Sequence, residues 1–120
     1  GSRNDSLVAK DGNDSLYGYD GNDTLLGGLG DDFVYGGADN DVYVAGSGSD
    51  VFDEQGYGGD DTILFRNVAS ASDLTIQRSG TYDLAISWSG GDILVRNHCY
   101  RDDYRFETVT LSDGSTFDLL

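Results

Sequence analysis

The chain has no proline and no methionine, one cysteine (Cys99), one histidine (His98), and only 7 lysines and arginines among 120 residues. Each shortage removes a class of protein. A single cysteine cannot supply an intramolecular disulfide framework. One His and one Cys cannot build the usual zinc sites. The bases face 22 Asp and Glu, for a formal net charge of −15. That field repels nucleic-acid phosphates and attracts cations, so no nucleic-acid partner is expected. No apolar run approaches transmembrane length, and no secretory signal opens the chain. Gly1-Ser2 in place of an initiator Met points to a piece excised from a longer protein.

What is abundant is acid and glycine, and the acid is unevenly placed. Residues 1–61 hold 14 of the 22 acids and 2 of the 7 bases, beside many of the 18 glycines. Such a segment, taken alone, buries too little apolar surface to offset its chain entropy and is expected to be disordered. Its order is of another kind. Asp5, Asp14, Asp23, Asp32, Asp41 and Asp50 each follow at an interval of nine, and Asp61 follows after eleven, two residues being inserted near Asp53 to Gly56. Two positions after each Asp stands Leu7, Leu16, Leu25, Val34, Tyr43, Phe52 or Ile63. Two positions before stands Gly12, Gly21, Gly30, Gly48 or Gly59, with Arg3 and Asp39 as exceptions. This is the nonapeptide G-G-x-G-x-D-x-U-x, with U a large apolar residue.

The unit predicts its own geometry. Ser15-Leu16-Tyr17 and Thr24-Leu25-Leu26 are short strands whose middle side chain points one way and whose neighbours point the other. The glycine-rich residues between them make tight turns at little steric cost. Two strands and two turns wind one coil in eighteen residues, giving two parallel sheets that face each other across the U residues. The expected fold is all-β, a right-handed parallel β-roll over residues 3–65. Alternate repeats then stack, with Asp5, Asp23, Asp41 and Asp61 on one edge and Asp14, Asp32 and Asp50 on the other. At the inter-strand spacing of about 4.8 Å, two bare carboxylates repel by about 1 kcal/mol in water and about 3.5 kcal/mol at an effective dielectric near 20. A counter-charge between the turns is required.

Calcium fits, being a hard cation that takes six to eight carboxylate and carbonyl oxygens, whereas magnesium demands strict octahedral geometry and keeps its waters. The candidate ligands are the seven periodic aspartates and the turn residues Gly12, Gly21, Gly30, Asp39, Gly48 and Gly59. Asn13, Asn22, Asp31, Asn40 and Asp60 can add an oxygen or orient the loop. An EF-hand is excluded: Asp20-Gly21-Asn22-Asp23 starts suggestively, fails at Thr24-Leu25, and has no helical periodicity around it.

The stretches "GYDGNDTLL" and "GGLGDDFVY" resemble the RTX (repeats-in-toxin) family of type I secreted bacterial proteins, across residues 3 to about 65. The resemblance implies ions between stacked turns, pairing Asp5 with Asp23, Asp14 with Asp32, Asp23 with Asp41, Asp32 with Asp50 and Asp41 with Asp61, hence about four or five calcium ions. Arg3, in place of a turn glycine, implies a first site only half built. Asp39 tolerates left-handed geometry, so its turn is expected to be kept.

Residues 66–120 look like the β-rich segment that follows many RTX arrays, on the strength of "DLTIQRSGTYDLAISWSGGDILVRN", "YRFETVTLSDGSTFDL" and their turn signals. Strands are expected over Asp73–Arg78, Tyr82–Trp88, Asp92–Asn97 and Phe106–Leu111. A solenoid end needs a cap. Outward positions turn apolar late in the array, at Phe33, Tyr35, Val42, Val44 and Val51, so the hairpins are expected to fold back on that end of the roll.

The expected function is a calcium-binding module, disordered without the ion, that folds after type I secretion as the C-terminal part of a larger secreted toxin or adhesin. It is expected to be a monomer, extracellular or on the bacterial surface, with the type I secretion machinery as the parent protein's partner. If residue 120 is the natural end, Phe117 to Leu120 belong to an uncleaved secretion signal. No enzyme is expected. Periodic carboxylates are ligands rather than an acid–base pair, and adjacent His98 and Cys99 on a strand point opposite ways. The alternative is calcium-dependent glycan recognition.

Overall fold

The computed structural model describes residues 4–53, 61–66, 68, 70–79, 83–96 and 108–118. Seven strands follow the repeat: β1 (Ser6–Val8), β2 (Ser15–Tyr17), β3 (Thr24–Leu26), β4 (Phe33–Tyr35), β5 (Val42–Val44), β6 (Gly48–Asp53) and β7 (Thr62–Leu64). A 3₁₀ turn, Ala71–Asp73, leads to β8 (Thr75–Ser79), β9 (Asp83–Trp88), β10 (Gly91–Arg96), β11 (Thr108–Thr110) and β12 (Thr116–Asp118). Among the described residues no helix is long and apolar enough to cross a membrane.

Odd and even repeats separate into two sheets, as a coil of eighteen residues requires. One runs β1-β3-β5-β7-β11-β12 and the other β2-β4-β6-β10-β9-β8. Within the array every pairing is parallel and U aligns with U: Leu7 with Leu25, Leu25 with Tyr43, Leu16 with Val34, and Val34 with Phe52. Across the insertion the register still holds, Tyr43 pairing with Ile63. The extra residues are taken up before β7 without shifting the strand. The stack is close enough to require glycine: Gly30 has φ +97°, and a Cβ there would run into the carbonyl oxygen of Gly12 one coil below. Among the described residues two that are not glycine enter the left-handed region, Asp39 at φ 73° and Tyr19 at φ 69°.

The C-terminal strands reach the end of the roll in a particular way. β10 adds in parallel to β6, Gly91 opposite Gly48 through Arg96 opposite Asp53, and β11 adds in parallel to β7. β9, β8 and β12 then turn back antiparallel. The hairpins therefore lengthen both sheets edge to edge instead of lying across their outer faces. Val51 gains Leu94 as its sheet neighbour, and Val44 is buried, while Phe33, Tyr35 and Val42 stay half-buried. Arg96 crosses the join to Asp53, with its guanidinium 3.9 Å from a carboxylate that is almost wholly buried. β8 starts two residues and ends one residue later than expected, β10 starts one earlier, β11 ends one earlier, and Tyr82 lies outside the described residues. β12 overlaps the stretch from Phe117 that would belong to a secretion signal were residue 120 the natural end. Asn97, His98, Cys99 and the start of the Phe106–Leu111 strand lie outside the described residues.

One core runs between the sheets. Leu25, Val34, Tyr43, Phe52 and Ile63 are fully buried and continue into Ile86, Ile93, Val95 and Val109. Tyr43 is the one U residue with a polar tip, and its hydroxyl accepts from the Gly36 N–H at 2.6 Å, which satisfies that tip inside the core. At the N-terminal end Leu7 and Leu16 are only partly buried, and Val8 is 64% exposed. Core value thus rises along the array. Phe52→Ala is expected to cost about 3–5 kcal/mol, by lost transfer energy plus a cavity. Leu7→Ala should cost well under half of that. Denaturant unfolding in excess calcium measures both; equal losses would contradict the gradient.

Candidate metal centre

The turns carry two ladders of side-chain to backbone hydrogen bonds, and they run in opposite directions. In the inner ladder each periodic Asp reaches back one coil. Asp23 Oδ1 accepts from the Asp5 N–H at 2.8 Å, Asp41 from Asp23 at 2.9 Å, and Asp61 from Asp41 at 2.9 Å, along one edge. Along the other edge, Asp32 accepts from Asp14 at 2.9 Å and Asp50 from Asp32 at 3.0 Å. In the outer ladder the residue before each Asp reaches forward. Asn4 accepts from Asn22 N–H, Asn22 from Asn40, Asn13 from Asp31, and Asp31 from Ser49. Asp39, in the glycine position, accepts from the Gly21 N–H at 3.0 Å. The turns carrying Asp23 and Asp32 are thus tied to the coils on both sides.

Each inner carboxylate spends one oxygen on the ladder, and the second is the chemically interesting one. In Asp14, Asp23, Asp32 and Asp41 the Oδ2 atom is buried and has no hydrogen-bond partner. A buried polar atom left so costs about 1–3 kcal/mol, more when charged. For Asp23, Asp32 and Asp41 the room comes from the glycine five residues earlier; before Asp14 that position is Ala9. A Cβ at Gly18 would lie 2.6 Å from Asp23 Oδ2, one at Gly27 2.6 Å from Asp32 Oδ2, and one at Gly36 2.5 Å from Asp41 Oδ2. Those glycines are the cradles into which the carboxylates fold.

Burial also moves the acidities. Desolvation raises the Asp41 carboxyl to about 7; the charges of Asp61, Asp23 and Asp39 push the same way, and the Asp23 N–H partly opposes. Asp50 is raised to about 6, again mainly by burial, with Asp32, Asp31 and Asp92 adding and the Asp32 N–H opposing. Asp23 and Asp32 are raised for the same first cause. An oxygen-seeking cation would answer all of these penalties at once, by neutralising a pair and taking up the orphan Oδ2 atoms.

The predicted set is placed as follows. Asp5, Asp23, Asp41 and Asp61 share one edge, and Asp14, Asp32 and Asp50 share the other, tied together by the inner ladder. Gly12, Gly21, Gly30 and Gly48 all have positive φ, and Asp39 takes the same conformation in its turn. Asn13, Asn22 and Asp31 give their side-chain oxygens to the outer ladder, and Asn40 gives its N–H. Gly59, Asp60 and Arg3 lie outside the described residues. Asn4, Ser49 and the cradle glycines Gly18, Gly27 and Gly36 are additions; the doubled Gly27-Gly28 and Gly36-Gly37 were their trace in the sequence. Among the described residues no three His, Cys, Asp or Glu side chains converge. An ion here would therefore draw on carboxylates in pairs, with backbone carbonyls completing its shell.

The model for the RTX calcium-binding nonapeptide repeat, four copies long, matches residues 1–34 and again residues 20–52. No curated protein matches the chain. Repeats of this family form calcium-binding modules of proteins typically secreted by bacteria. The coil period, the carboxylate columns and this match agree, and residues 1–52 of the chain belong to the RTX calcium-binding nonapeptide-repeat family.

Proposed function

We propose that the chain is a folding module driven by calcium: a roll over residues 3–65 that is disordered without the ion, and a cap over residues 66–120 that closes it. The observation that carries this reading is the set of buried Oδ2 atoms of Asp14, Asp23, Asp32 and Asp41, each without a partner. Asp14 with Asp32, and Asp23 with Asp41, would hold an ion through those oxygens, helped by turn carbonyls. Asp5–Asp23, Asp32–Asp50 and Asp41–Asp61 extend the columns. Calcium supplies the counter-charge. The ladders hold each carboxylate in place, and the cradle glycines leave room for it to turn inward.

The magnitudes make this a switch. A site filled at ten times its Kd adds about 1.4 kcal/mol to the folded state alone. Four or five such sites reach the order of a small domain's whole stability, about 5–15 kcal/mol. With the Kd of about 10⁻⁴ to 10⁻³ M usual for extracellular modules, the chain stays unfolded at cytosolic calcium and folds outside. In a parent protein this suits passage through a type I export channel before folding, as the C-terminal part of a secreted toxin or adhesin.

A second reading rests on the outer face of β2 and β4. Tyr17 packs against Tyr35 (centroids 5.8 Å apart), Phe33 and Tyr19 (each 6.2 Å), and Tyr17 and Tyr19 remain 44% and 58% exposed. The rings come from successive coils, so the platform exists only when the roll is wound. That suits calcium-dependent stacking of a neutral glycan. A glycan array probed with and without calcium tests it, with Tyr17→Ala expected to abolish any calcium-dependent signal.

Far-UV circular dichroism during calcium titration should show a steep, cooperative gain of β-structure; full β-signal in a chelator would refute the folding switch. Asp32, which serves two neighbouring pairs, should matter more than a terminal residue. Asp32→Asn is expected to raise the calcium midpoint roughly tenfold, about 1.4 kcal/mol, and Asp5→Asn by much less. The sign of the pH effect follows from the raised carboxyls. Between about pH 4 and pH 7 the folded roll holds protons on Asp41 and Asp50 that the unfolded chain has released. Without calcium, stability therefore falls as pH rises through that window and levels off above it. With calcium the order reverses, because ions and protons compete for the same oxygens. Calcium midpoints at pH 5.5 and 7.5 should differ accordingly, the lower pH requiring more calcium.

A further inference from the structure

Where the coil stack meets the cap, the molecule has a cavity of about 330 Å³ that the carboxylate columns do not use. Its origin is a mismatch of turns. A full nonapeptide turn spans six residues, but the β9–β10 hairpin that follows on this edge turns through Ser89-Gly90 alone. Gly91 sits hard against the Gly48 carbonyl, 2.5 Å from where a Cβ would be, and the shorter turn leaves open the space beside it.

The walls are apolar: Leu26, Leu29, Ala45, Phe65, Val68 and Trp88. Trp88 meets Phe65 edge-on, with centroids 4.9 Å apart at 84°. Among the described residues no Asp or Glu lines the cavity, and the one charged lining residue is Arg66. Arg66 is exposed, and among the described residues no carboxylate pairs with it. The indole N–H of Trp88 is a donor only; its Nε1 lies over Gly90, 2.6 Å from where a Cβ would be. It makes no hydrogen bond to a described residue. Ser47 and Ser89 also line it, and their hydroxyls both donate and accept. The charge among the described lining residues is positive, the reverse of the carboxylate edges, and favours an anion.

We propose that this cavity binds a small aromatic carboxylate, the ring between Trp88, Phe65 and the turn of Leu29, and the carboxylate on Arg66 and the Trp88 indole N–H. An apolar, aromatic-lined cleft of this size with a few placed donors is the usual form of a small-ligand site. The charge sign selects an anion, and the aromatic walls select a flat apolar body over a sugar or a phosphate.

Trp88 is the only tryptophan in the chain, so its fluorescence reports on the site directly. The probe is 2-naphthoate, titrated into the full chain in saturating calcium. Saturable quenching of Trp88 is expected, together with a shift of its indole N–H resonance in a ¹⁵N–¹H spectrum. The neutral isostere 2-naphthylmethanol should bind at least about tenfold more weakly, and Arg66→Gln should weaken naphthoate by about the same factor, since a charge-assisted pair is lost. Circular dichroism of Arg66→Gln should match the parent. No saturable change up to millimolar naphthoate, equal affinity for the neutral alcohol, or unchanged binding by Arg66→Gln would each overturn the proposal.

Discussion

Like charges stacked at strand spacing are the constraint on which the rest of this structure depends. Each coil sets an aspartate beside the aspartate eighteen residues earlier, and the fold answers the repulsion in two stages. One carboxylate oxygen is tied to the backbone N–H of the coil below, at 2.8 to 3.0 Å. The other is left without a hydrogen-bond partner in Asp14, Asp23, Asp32 and Asp41, and in the last three it is turned inward over a glycine. The protein thus answers half of the problem with its own backbone; on the function proposed above, the other half would fall to an ion.

The hydrophobic core leaves this charge constraint in place. Its fully buried residues begin at Leu25, and the first two coil positions, Leu7 and Leu16, pack only partly. Burial of a large apolar side chain yields about 1.5–3 kcal/mol, while ordering each residue of a glycine-rich turn costs about 1–2 kcal/mol. With one U residue per nine, core burial offsets only part of the array's chain entropy. The C-terminal strands supply what it lacks: Ile86, Ile93, Val95 and Val109 extend the same core and bring apolar density to the end where the charge is least.

Much of this was legible because the repeat is its own ruler. The spacing of aspartates gave the coil length, the two edges and the pairing of U residues, and the register of β1 through β7 follows it even across the two-residue insertion. Asp39 was legible as well, since few other residues replace glycine at φ 73°. Three features were not. The outer ladder depends on which way Asn13 and Asn22 reach, and a sequence carries no direction for a side chain. The cradle glycines looked like turn formers, because the space over a Cα is visible only once the carboxylate has folded onto it. The parallel docking of β10 and β11 escaped because the local pattern, two strands and a tight turn, describes a hairpin and says nothing of what lies beside it.

That docking separates the length of the array from its closure. Among the described residues, the sheet pairing between cap and stack runs through β10 on β6 and β11 on β7. Everything before them is reached through copies of one eighteen-residue step. Repeats could be gained or lost upstream by simple duplication or deletion, and the terminating surface would meet the same two strands each time. Array length is then a variable that selection can adjust without redesigning the closure, much as a zip can be made longer while keeping its stop.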